Sequence, residues 1–216
     1  MFSYYLKLGW LSIRRNPLLS SLMVAAIAVG IGASMSIITV NYVMSSDPIP
    51  QKSDQLFYVQ VDNWDPNDQD EGGFEPVDQL TYLDAMALMK ADKAYRQVAS
   101  NRTGLVLEPQ GEDEMPFSVD TRSTWADFFP MFELPFVYGS GWDDSADQNL
   151  ERVVVLNKEI NERVFGGENS VGRSVRLHGM DFQVVGVLDE YQPVPKFYDV
   201  TNNPFSEVED IFIPFN

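Results

Sequence analysis

The sequence of 216 residues contains no cysteine and a single histidine, His178. Without cysteine the protein can form no disulfide, no zinc–thiolate site and no thiol nucleophile. One histidine also argues against a catalytic triad and against a metal centre built on several imidazoles. The sequence therefore predicts no catalytic residue, no metal site and no cofactor.

Basic residues are scarce as well. Only 15 Lys and Arg residues stand against 32 Asp and Glu residues, which gives a formal net charge of -17. A nucleic-acid partner is excluded, because contacts with phosphate groups need a basic surface. Disorder is not expected either, since 44% of the residues are hydrophobic and can form a core.

The charges are divided along the chain, and the first 46 residues contain no acid at all. This segment carries Lys7, Arg14 and Arg15, whereas residues 47–216 hold all 32 acids and have a net charge of -20. A short basic segment, an apolar run and then an acidic region are typical of a protein anchored in a membrane.

The apolar run extends from Leu18 to Met44, 27 residues without a formal charge. Because about 20 apolar residues cross the hydrocarbon layer, we predict a transmembrane helix over residues 17–46, in contact with membrane lipid. Basic residues favour the cytoplasmic side, which places the N-terminus in the cytoplasm and residues 47–216 outside it. A cleaved signal peptide is the alternative, but its apolar core is shorter, about 7–15 residues, and residues 41–46 lack a small-x-small cleavage site.

Small residues recur at intervals of four along this predicted helix. Such spacing lets a second helix approach closely, so we predict packing against other membrane helices. The alternative is that small residues are simply common in membrane helices. The residues on the two neighbouring faces are Ala26, Gly30 and Ser34, and Ala28, Gly32 and Ser36. Residues 1–16 are predicted to form an amphipathic segment at the cytoplasmic membrane interface.

Residues 47–216 alternate between strand and helix patterns, which predicts a mixed domain of the α+β class. Thr81 and Asp84 form a capping-box pattern, and Asn157 is a good N-cap for a helix that Gly166 ends. The predicted helices cover residues 81–93, 123–129 and 158–165. The predicted strands cover residues 56–61, 98–107, 115–119, 152–156, 175–177, 182–187 and 211–213.

Four features of this region suggest ligand or catalytic chemistry and are rejected. Gly167–Ser174 is similar to a phosphate-binding loop, but a helix precedes it, a strand follows it, and Arg173 replaces the lysine. The acidic loop at residues 62–73 does not match a calcium-binding loop at any start position. His178 is interpreted as a turn residue, and the Asp143–Asp144 pair as solvated carboxylates. We interpret a run of aromatic residues as core, namely Trp125, Phe128, Phe129, Phe132 and Phe136. The alternative is that an exposed part of this group forms a docking or substrate surface.

Short motifs in the last third of the sequence resemble the MacB-like periplasmic core domain of MacB/FtsX-type ABC transporter permeases. Residues 11–17 and the apolar run also resemble the first membrane segment of that family, and residues 210–214 resemble a further family element. The motif residues, expected to have structural roles, are Gly139, Trp142, Phe165, Gly166, Gly172, Arg173, Gly179, Gly186 and Pro214.

The resemblance implies a permease subunit without catalytic activity in the inner membrane of a bacterium, with its main domain in the periplasm. It would pair with a cytoplasmic ATPase on a separate polypeptide, form a permease homodimer or heterodimer, and contact a periplasmic adaptor. ATP hydrolysis would drive periplasmic export or mechanotransmission. Family members have four membrane helices, so the chain is expected to be an incomplete N-terminal part. The alternative is a single-pass, membrane-anchored module for sensing or scaffolding outside the cytoplasm.

Overall fold

The computed structural model describes residues 2–61, 79–109, 115–199 and 205–215. The chain forms two units, and the boundary between them falls after Pro48. The acidic loop at residues 62–73, for which calcium binding was considered, lies outside the described residues.

The first unit consists of helix α1 (Phe2–Arg15) and helix α2 (Pro17–Met44). Pro17 occupies the first turn of α2, where its fixed backbone angle fits and its missing N–H is not needed. At 28 residues α2 is about 42 Å long, more than enough to cross a bilayer. Among the described residues it is the one helix long and apolar enough to do so, and none of its side chains is buried.

The second unit, called here the domain, contains seven strands, four α-helices and one short 3-10 helix (Ser53–Gln55) within the described residues. The strands are β1 (Ser100–Glu108), β2 (Phe117–Thr124), β3 (Phe136–Gly139), β4 (Val153–Leu156), β5 (Ser174–Leu177), β6 (Met180–Leu188) and β7 (Ile211–Pro214). The helices are α3 (Tyr82–Ala91), α4 (Phe128–Phe132), α5 (Asp144–Asn149) and α6 (Lys158–Phe165).

Six of the strands close into a ring in the order β6, β4, β7, β2, β1, β5 and back to β6. The pairs β2–β7 and β4–β6 are parallel, and the other four pairs are antiparallel. Strand β3 lies outside the ring and pairs with the C-terminal end of β6. The closure is narrow between β1 and β5, where only Leu107 and Glu108 pair with Leu177 and Arg176. Among the described residues this edge of β1 has no strand partner over residues 100–106.

Two hydrophobic cores lie on the two faces of the ring. Strand β4 contributes to both cores, because alternate side chains of a strand point to opposite faces. Val154 and Leu156 belong to the inner core, to which all six ring strands contribute. Val153 and Val155 belong to the outer core, which α4 and Trp142 cover. A strand buried on both faces has no polar alternation, as the sequence of β4 shows.

The α+β class predicted from the sequence is confirmed, together with several local signals. Thr81 and Asp84 form the predicted capping box at the start of α3. The side chain of Asn157 accepts a hydrogen bond from the Ile160 N–H at the start of α6, and Gly166 ends that helix in the left-handed conformation. Each signal depends only on neighbours in sequence, which is why it could be read without the fold.

The strand predicted at residues 56–61 is wrong, since this segment pairs with none of the strands in the described parts of the chain. Its residues are of types that favour strands, but their side chains are largely exposed, and Phe57 is 83% accessible. The helix predicted at residues 123–129 is displaced to α4, because Ser123 and Thr124 pair with β1 and β7 as the end of β2. Strand β3 and helix α5 were not predicted, because both are too short to show a period.

Candidate functional site: the membrane helix and a buried charge cluster

The helical geometry of α2 places the predicted small residues as two stripes, because residues four apart lie on one face. The stripes were predicted on neighbouring faces, but a shift of two residues turns the helix by about 200°, so they lie on opposite faces. A side chain added at Gly30 or Gly32 would meet no atom within 4 Å, so both faces are open. The hydroxyl of Ser36 donates a hydrogen bond of 2.9 Å to the Gly32 carbonyl. This bond satisfies the hydroxyl within the helix, so it needs no water in an apolar environment. A role of these stripes in helix packing stays a prediction.

Gly139 and Gly186 are brought together as partners in the pairing of β3 with β6. Gly139 has a φ of 65°, and a Cβ there would lie 2.1 Å from the Val185 carbonyl oxygen. A Cβ at Gly186 would lie 2.4 Å from the Ser140 carbonyl oxygen. Only glycine permits this close approach of two backbones, which fixes β3 to the end of β6.

The motif residues around α6 stabilise the turn that leads into β5. Gly172 has a φ of 87°, and its N–H donates a 2.8 Å hydrogen bond to the Val184 carbonyl. The Arg173 guanidinium lies 4.3 Å from the centre of the Phe165 ring, a cation–π contact. The Arg173 side chain is thus exposed and stacked on an aromatic ring. The helix–turn–strand order also agrees with the rejection of a phosphate-binding loop.

Trp142 is buried, and its indole N–H donates a 2.9 Å hydrogen bond to the Asp147 carboxylate. Asp147 also accepts a 2.8 Å bond from the Ala126 N–H, and burial raises the pKa of this carboxyl. Asp143, interpreted as merely solvated, caps α5 by accepting hydrogen bonds from the Ser145 and Ala146 N–H groups. These bonds and one from the Ser145 hydroxyl lower the pKa of Asp143. The acid pair therefore begins a helix.

The remaining motif residues lie at turns and strand ends. Gly179, with a φ of 79°, follows His178 in the two-residue loop between β5 and β6. Its N–H donates a 3.0 Å hydrogen bond to the Glu108 side chain, and His178 is exposed, as expected of a turn residue. Pro214 ends β7 beside Thr124. No role in binding a ligand follows from these positions.

A buried cluster of four charged side chains lies against the outer face of β2, and the sequence analysis missed it. One Arg122 amino group donates hydrogen bonds of 2.5 Å to both Asp199 and Glu209. The Lys196 ammonium donates a 2.7 Å bond to the same Glu209 carboxylate. The Tyr198 hydroxyl donates a 3.3 Å bond to the other Glu209 oxygen, and its ring lies 5.1 Å from the Arg122 guanidinium carbon. Each cation of the cluster thus contacts a carboxylate.

The cluster shifts the pKa values of its members. Burial disfavours a charged Glu209, but hydrogen bonds from Arg122 and Lys196 outweigh burial and lower the pKa of this carboxyl. Burial lowers the pKa of Lys196, against the opposing effect of its bond to Glu209. Burial raises the pKa of the Tyr198 hydroxyl. Glu209, which is fully buried, is the strongest partner of Arg122, Lys196 and Tyr198, whereas Asp199 binds Arg122.

The cluster holds distant parts of the chain on the outer face of the ring. Arg122 belongs to β2, Lys196 and Asp199 to the segment after β6, and Glu209 to the residues before β7. Lys196 also donates a 2.9 Å hydrogen bond to the Glu207 carbonyl. Since these residues lie far apart in sequence and follow no short motif, no sequence signal identifies the group.

The first residues of the domain are fixed to α4. Ile49 is buried, and the Lys52 ammonium donates a 2.8 Å hydrogen bond to the Pro130 carbonyl. Lys52 also forms a 2.9 Å ion pair with Glu133, which accepts a 2.7 Å bond from the Gln51 amide. The hydrogen bonds from Lys52 and Gln51 lower the pKa of Glu133. The domain is therefore ordered from the residue at which it begins.

Nothing in the described parts of the chain groups three or more His, Asp or Glu side chains as a metal site would require. Four of the five aromatic residues expected in the core lie there, with Phe128 and Phe129 buried and Phe132 and Phe136 packed against them. The prediction is wrong for Trp125, which is half-buried and belongs to neither core. The arrangement thus provides a membrane-type helix and a rigid domain.

The family model of the MacB-like periplasmic core domain matches residues 20–216. The chain therefore belongs to this family, as the resemblance of its short motifs indicated. The match covers most of α2 as well as the whole domain.

Two curated proteins with detectable similarity carry export functions in their names. The macrolide export ATP-binding/permease protein MacB of Wolinella succinogenes is 24% identical over 116 residues, 54% of this chain and 18% of that protein. The pyoverdine export ATP-binding/permease protein PvdT of Pseudomonas syringae is 36% identical over 64 residues, 29% of this chain and 10% of that protein. The matched region is thus less than a fifth of either relative.

Two solved structures are similar at low sequence identity. The extracellular domain of the ABC-type transporter YknZ from Gram-positive bacteria has 20% identity and a TM-score of 0.47, and the match covers 63% of each chain. The periplasmic region of MacB from Actinobacillus actinomycetemcomitans has 18% identity and a TM-score of 0.47, covering 64% of this chain and 56% of that one.

Replacing the central carboxylate of the cluster is expected to reduce the pH dependence of stability. The native pKa of Glu209 is lowered, so its contribution is complete above the pKa of the unfolded chain, about 4.3. This contribution is lost as the pH falls through the native pKa. Glu209→Gln should therefore unfold more easily at pH 7, by about 3 kcal/mol, and lose stability less steeply between pH 6 and pH 3.

The measurement is the free energy of unfolding of the full chain in detergent, from denaturant titrations at several pH values. Asp181→Asn is the matched control, because Asp181 forms an exposed ion pair with Arg176. It should reproduce the wild-type slope. An equal slope for Glu209→Gln would contradict the assignment of Glu209 as the acid-sensitive centre of the cluster.

Proposed function

We propose that the chain is part of the permease subunit of an ABC transporter, with a role in periplasmic export or mechanotransmission. The family match over residues 20–216 carries this proposal. It is supported by the order of the two units, a membrane-type helix followed directly by a domain without a catalytic constellation in its described parts. The family and the relatives' names favour this role over an anchored sensing or scaffold module.

The proposed location is the inner membrane of a bacterium, with α2 spanning it. Nearly all the large apolar side chains along α2 are exposed, and Leu18, for example, is 83% accessible. In a bilayer they would contact lipid or other membrane helices. Lys7, Arg14 and Arg15 would stay in the cytoplasm, with α1 at the interface, and the acidic domain would lie in the periplasm. Residues 1–16, 17–46 and 47–216 would be the interfacial, spanning and periplasmic parts.

This orientation predicts a definite labelling pattern, which the absence of cysteine makes simple to test. A membrane-impermeant maleimide added to intact spheroplasts should label Asp54→Cys, because residue 54 would lie outside the cytoplasm. It should label Lys7→Cys only after the membrane is permeabilised. The wild-type chain is the control and should stay unlabelled. Labelling of Lys7→Cys in intact spheroplasts would contradict the orientation.

A mechanical role is supported by the contacts at the start of the domain. Ile49 is buried, and Lys52 and Gln51 bind α4 through Pro130 and Glu133. A displacement of residue 49 would therefore be transmitted to α4 and the outer core, because the residues that follow it are bound to α4. ATP hydrolysis in the cytoplasm could reach the domain by this route.

The ATPase is proposed to be a separate cytoplasmic polypeptide, and this chain to be non-catalytic. The relatives' names combine ATP-binding with permease functions, whereas the phosphate-loop-like segment of this chain is a turn between α6 and β5. A permease homodimer or heterodimer and a periplasmic adaptor complete the proposed assembly.

The proposal predicts that ATP hydrolysis accompanies the chain. The full chain, tagged and purified in mild detergent from membranes of its own host, should carry vanadate-sensitive ATPase activity. Deleting residues 2–15 should remove that activity, because α1 would supply the cytoplasmic contact. The labelling of Asp54→Cys controls for correct insertion of the deletion variant. Intact insertion without any associated ATPase activity would favour the anchored sensing or scaffold module instead.

Helix packing through the small-residue stripes predicts a specific loss of association. Gly30→Ile should weaken self-association of the full chain in vesicles about tenfold, because a bulky side chain prevents the close approach of a second backbone. Energy transfer between labelled chains measures the association. Ile31→Phe, on the surface of α2 between the two stripes, is the control and should leave it unchanged. Equal association of Gly30→Ile and wild type would contradict a role of this stripe.

A further inference from the structure

An open groove of about 660 Å³ lies on the surface of the domain beside α4 and α5. Its floor is aromatic and consists of Phe129, Phe136 and Trp142. The rings of Phe129 and Trp142 meet edge to face with centres 4.7 Å apart, and those of Phe129 and Phe136 lie 5.7 Å apart. Phe129 and Trp142 are only 4% and 8% exposed, so the apolar surface open to a large side chain comes mainly from half-buried Phe136 and from the outer edges of the other two rings.

The groove is built rigidly. A Cβ at Gly141 would lie 2.3 Å from the Phe129 ring, so only glycine allows that ring its position. The indole of Trp142 is held by its 2.9 Å hydrogen bond to buried Asp147. A floor with fixed rings loses little conformational entropy when a partner binds, which favours recognition.

The rim of the groove is strongly acidic. Asp127, Glu133, Asp143 and Asp144 line it, and Arg96 is the one cation among its described lining residues. Arg96 forms a 2.9 Å ion pair with Asp127, and Lys52, which does not line the groove, forms a 2.9 Å ion pair with Glu133. Among the described residues Asp143 and Asp144 are the rim carboxylates without an ion pair. The negative charge of these two carboxylates complements a cation.

The shape of the groove favours a polypeptide over a small molecule. A small-molecule site usually encloses most of its ligand's surface. Here Pro130, Glu133, Ser140, Asp143 and Asp144 are all exposed, so the groove is open along its length. Such a surface suits an extended segment whose basic side chains reach the rim while an apolar side chain lies on the floor.

We propose that this groove binds a segment of another protein in which Lys or Arg side chains flank a large apolar side chain. The inference does not rest on the proposed transport role, because a membrane-anchored scaffold would present the same surface. The labelling test of orientation and the binding test below can therefore succeed or fail independently.

The probe is an acetylated, amidated peptide of sequence Lys-Phe-Lys-Phe-Lys, titrated against the full chain in detergent. The comparison peptides are Lys-Gly-Lys-Gly-Lys, which lacks the apolar side chains, and Glu-Phe-Glu-Phe-Glu, which reverses the charge. We expect the first peptide to bind at least about tenfold more tightly than either of the others, and more weakly as salt is added.

Position must be tested separately, because a protein with a net charge of -17 attracts cations over much of its surface. Asp144→Lys should weaken binding of the peptide about fivefold, whereas Glu162→Lys, an equal charge reversal on α6, should leave it unchanged. Ser140→Glu should tighten binding and Ser140→Lys should weaken it. Unchanged thermal unfolding verifies that each variant folds.

A peptide with benzoylphenylalanine in place of one Phe should crosslink to residues 127–144 upon irradiation, as mapped by mass spectrometry. Equal weakening by Asp144→Lys and Glu162→Lys would show non-specific attraction and overturn the proposal. Crosslinks confined to other regions would overturn it too. Binding of phenethylamine as tight as that of the peptide would make the groove a small-ligand site and equally overturn it.

Discussion

The rest of the domain depends on the pairing of strand β6 with three other strands. One edge of β6 pairs with β4, and the other edge is divided between β5 and β3. Because β5 also pairs with β1, β6 closes the ring and thereby separates an inner core from an outer one. The division of one edge requires close backbone contact at Gly139 and Gly186, where a side chain would collide with a carbonyl oxygen. Two glycines thus permit β3 to pair with the same edge of β6 as β5.

Both the aromatic groove and the buried charge cluster lie on the outer face of the ring. Its apolar part is covered by α4 and Trp142, and the aromatic groove is the exposed border of that same packing. Its polar part is the cluster around Glu209, which ties the segments on either side of residues 200–204 to β2. An acidic domain needs buried cations at such a point, because an uncompensated buried carboxylate is costly. Here Arg122 and Lys196 supply the compensation.

Local signals could be predicted from the sequence, and non-local ones could not. The caps Thr81 and Asn157, the left-handed Gly166 and the apolar length of α2 each depend on residues close in sequence. The strand predicted at residues 56–61 had the right composition, but a strand also needs a partner, which composition does not reveal. The Glu209 cluster has no local pattern, because its members come from β2 and from two segments that follow β6. The groove is lined mainly by residues 126–144, but which of their side chains are buried and which reach the surface depends on the fold.

By itself the sequence determined the division of the chain at Asp47 into a basic and an acidic part, the membrane-type helix, the α+β class and the family. Charge distribution, apolar length and short motifs are properties of neighbouring residues, so they survive without a fold. Only the tertiary structure decided that the strands close into a ring and that Arg122, Lys196, Asp199 and Glu209 meet. It also decided that carboxylates surround an aromatic floor. Strand pairing and side-chain burial depend on contacts between distant residues, and those contacts exist only after the chain has folded.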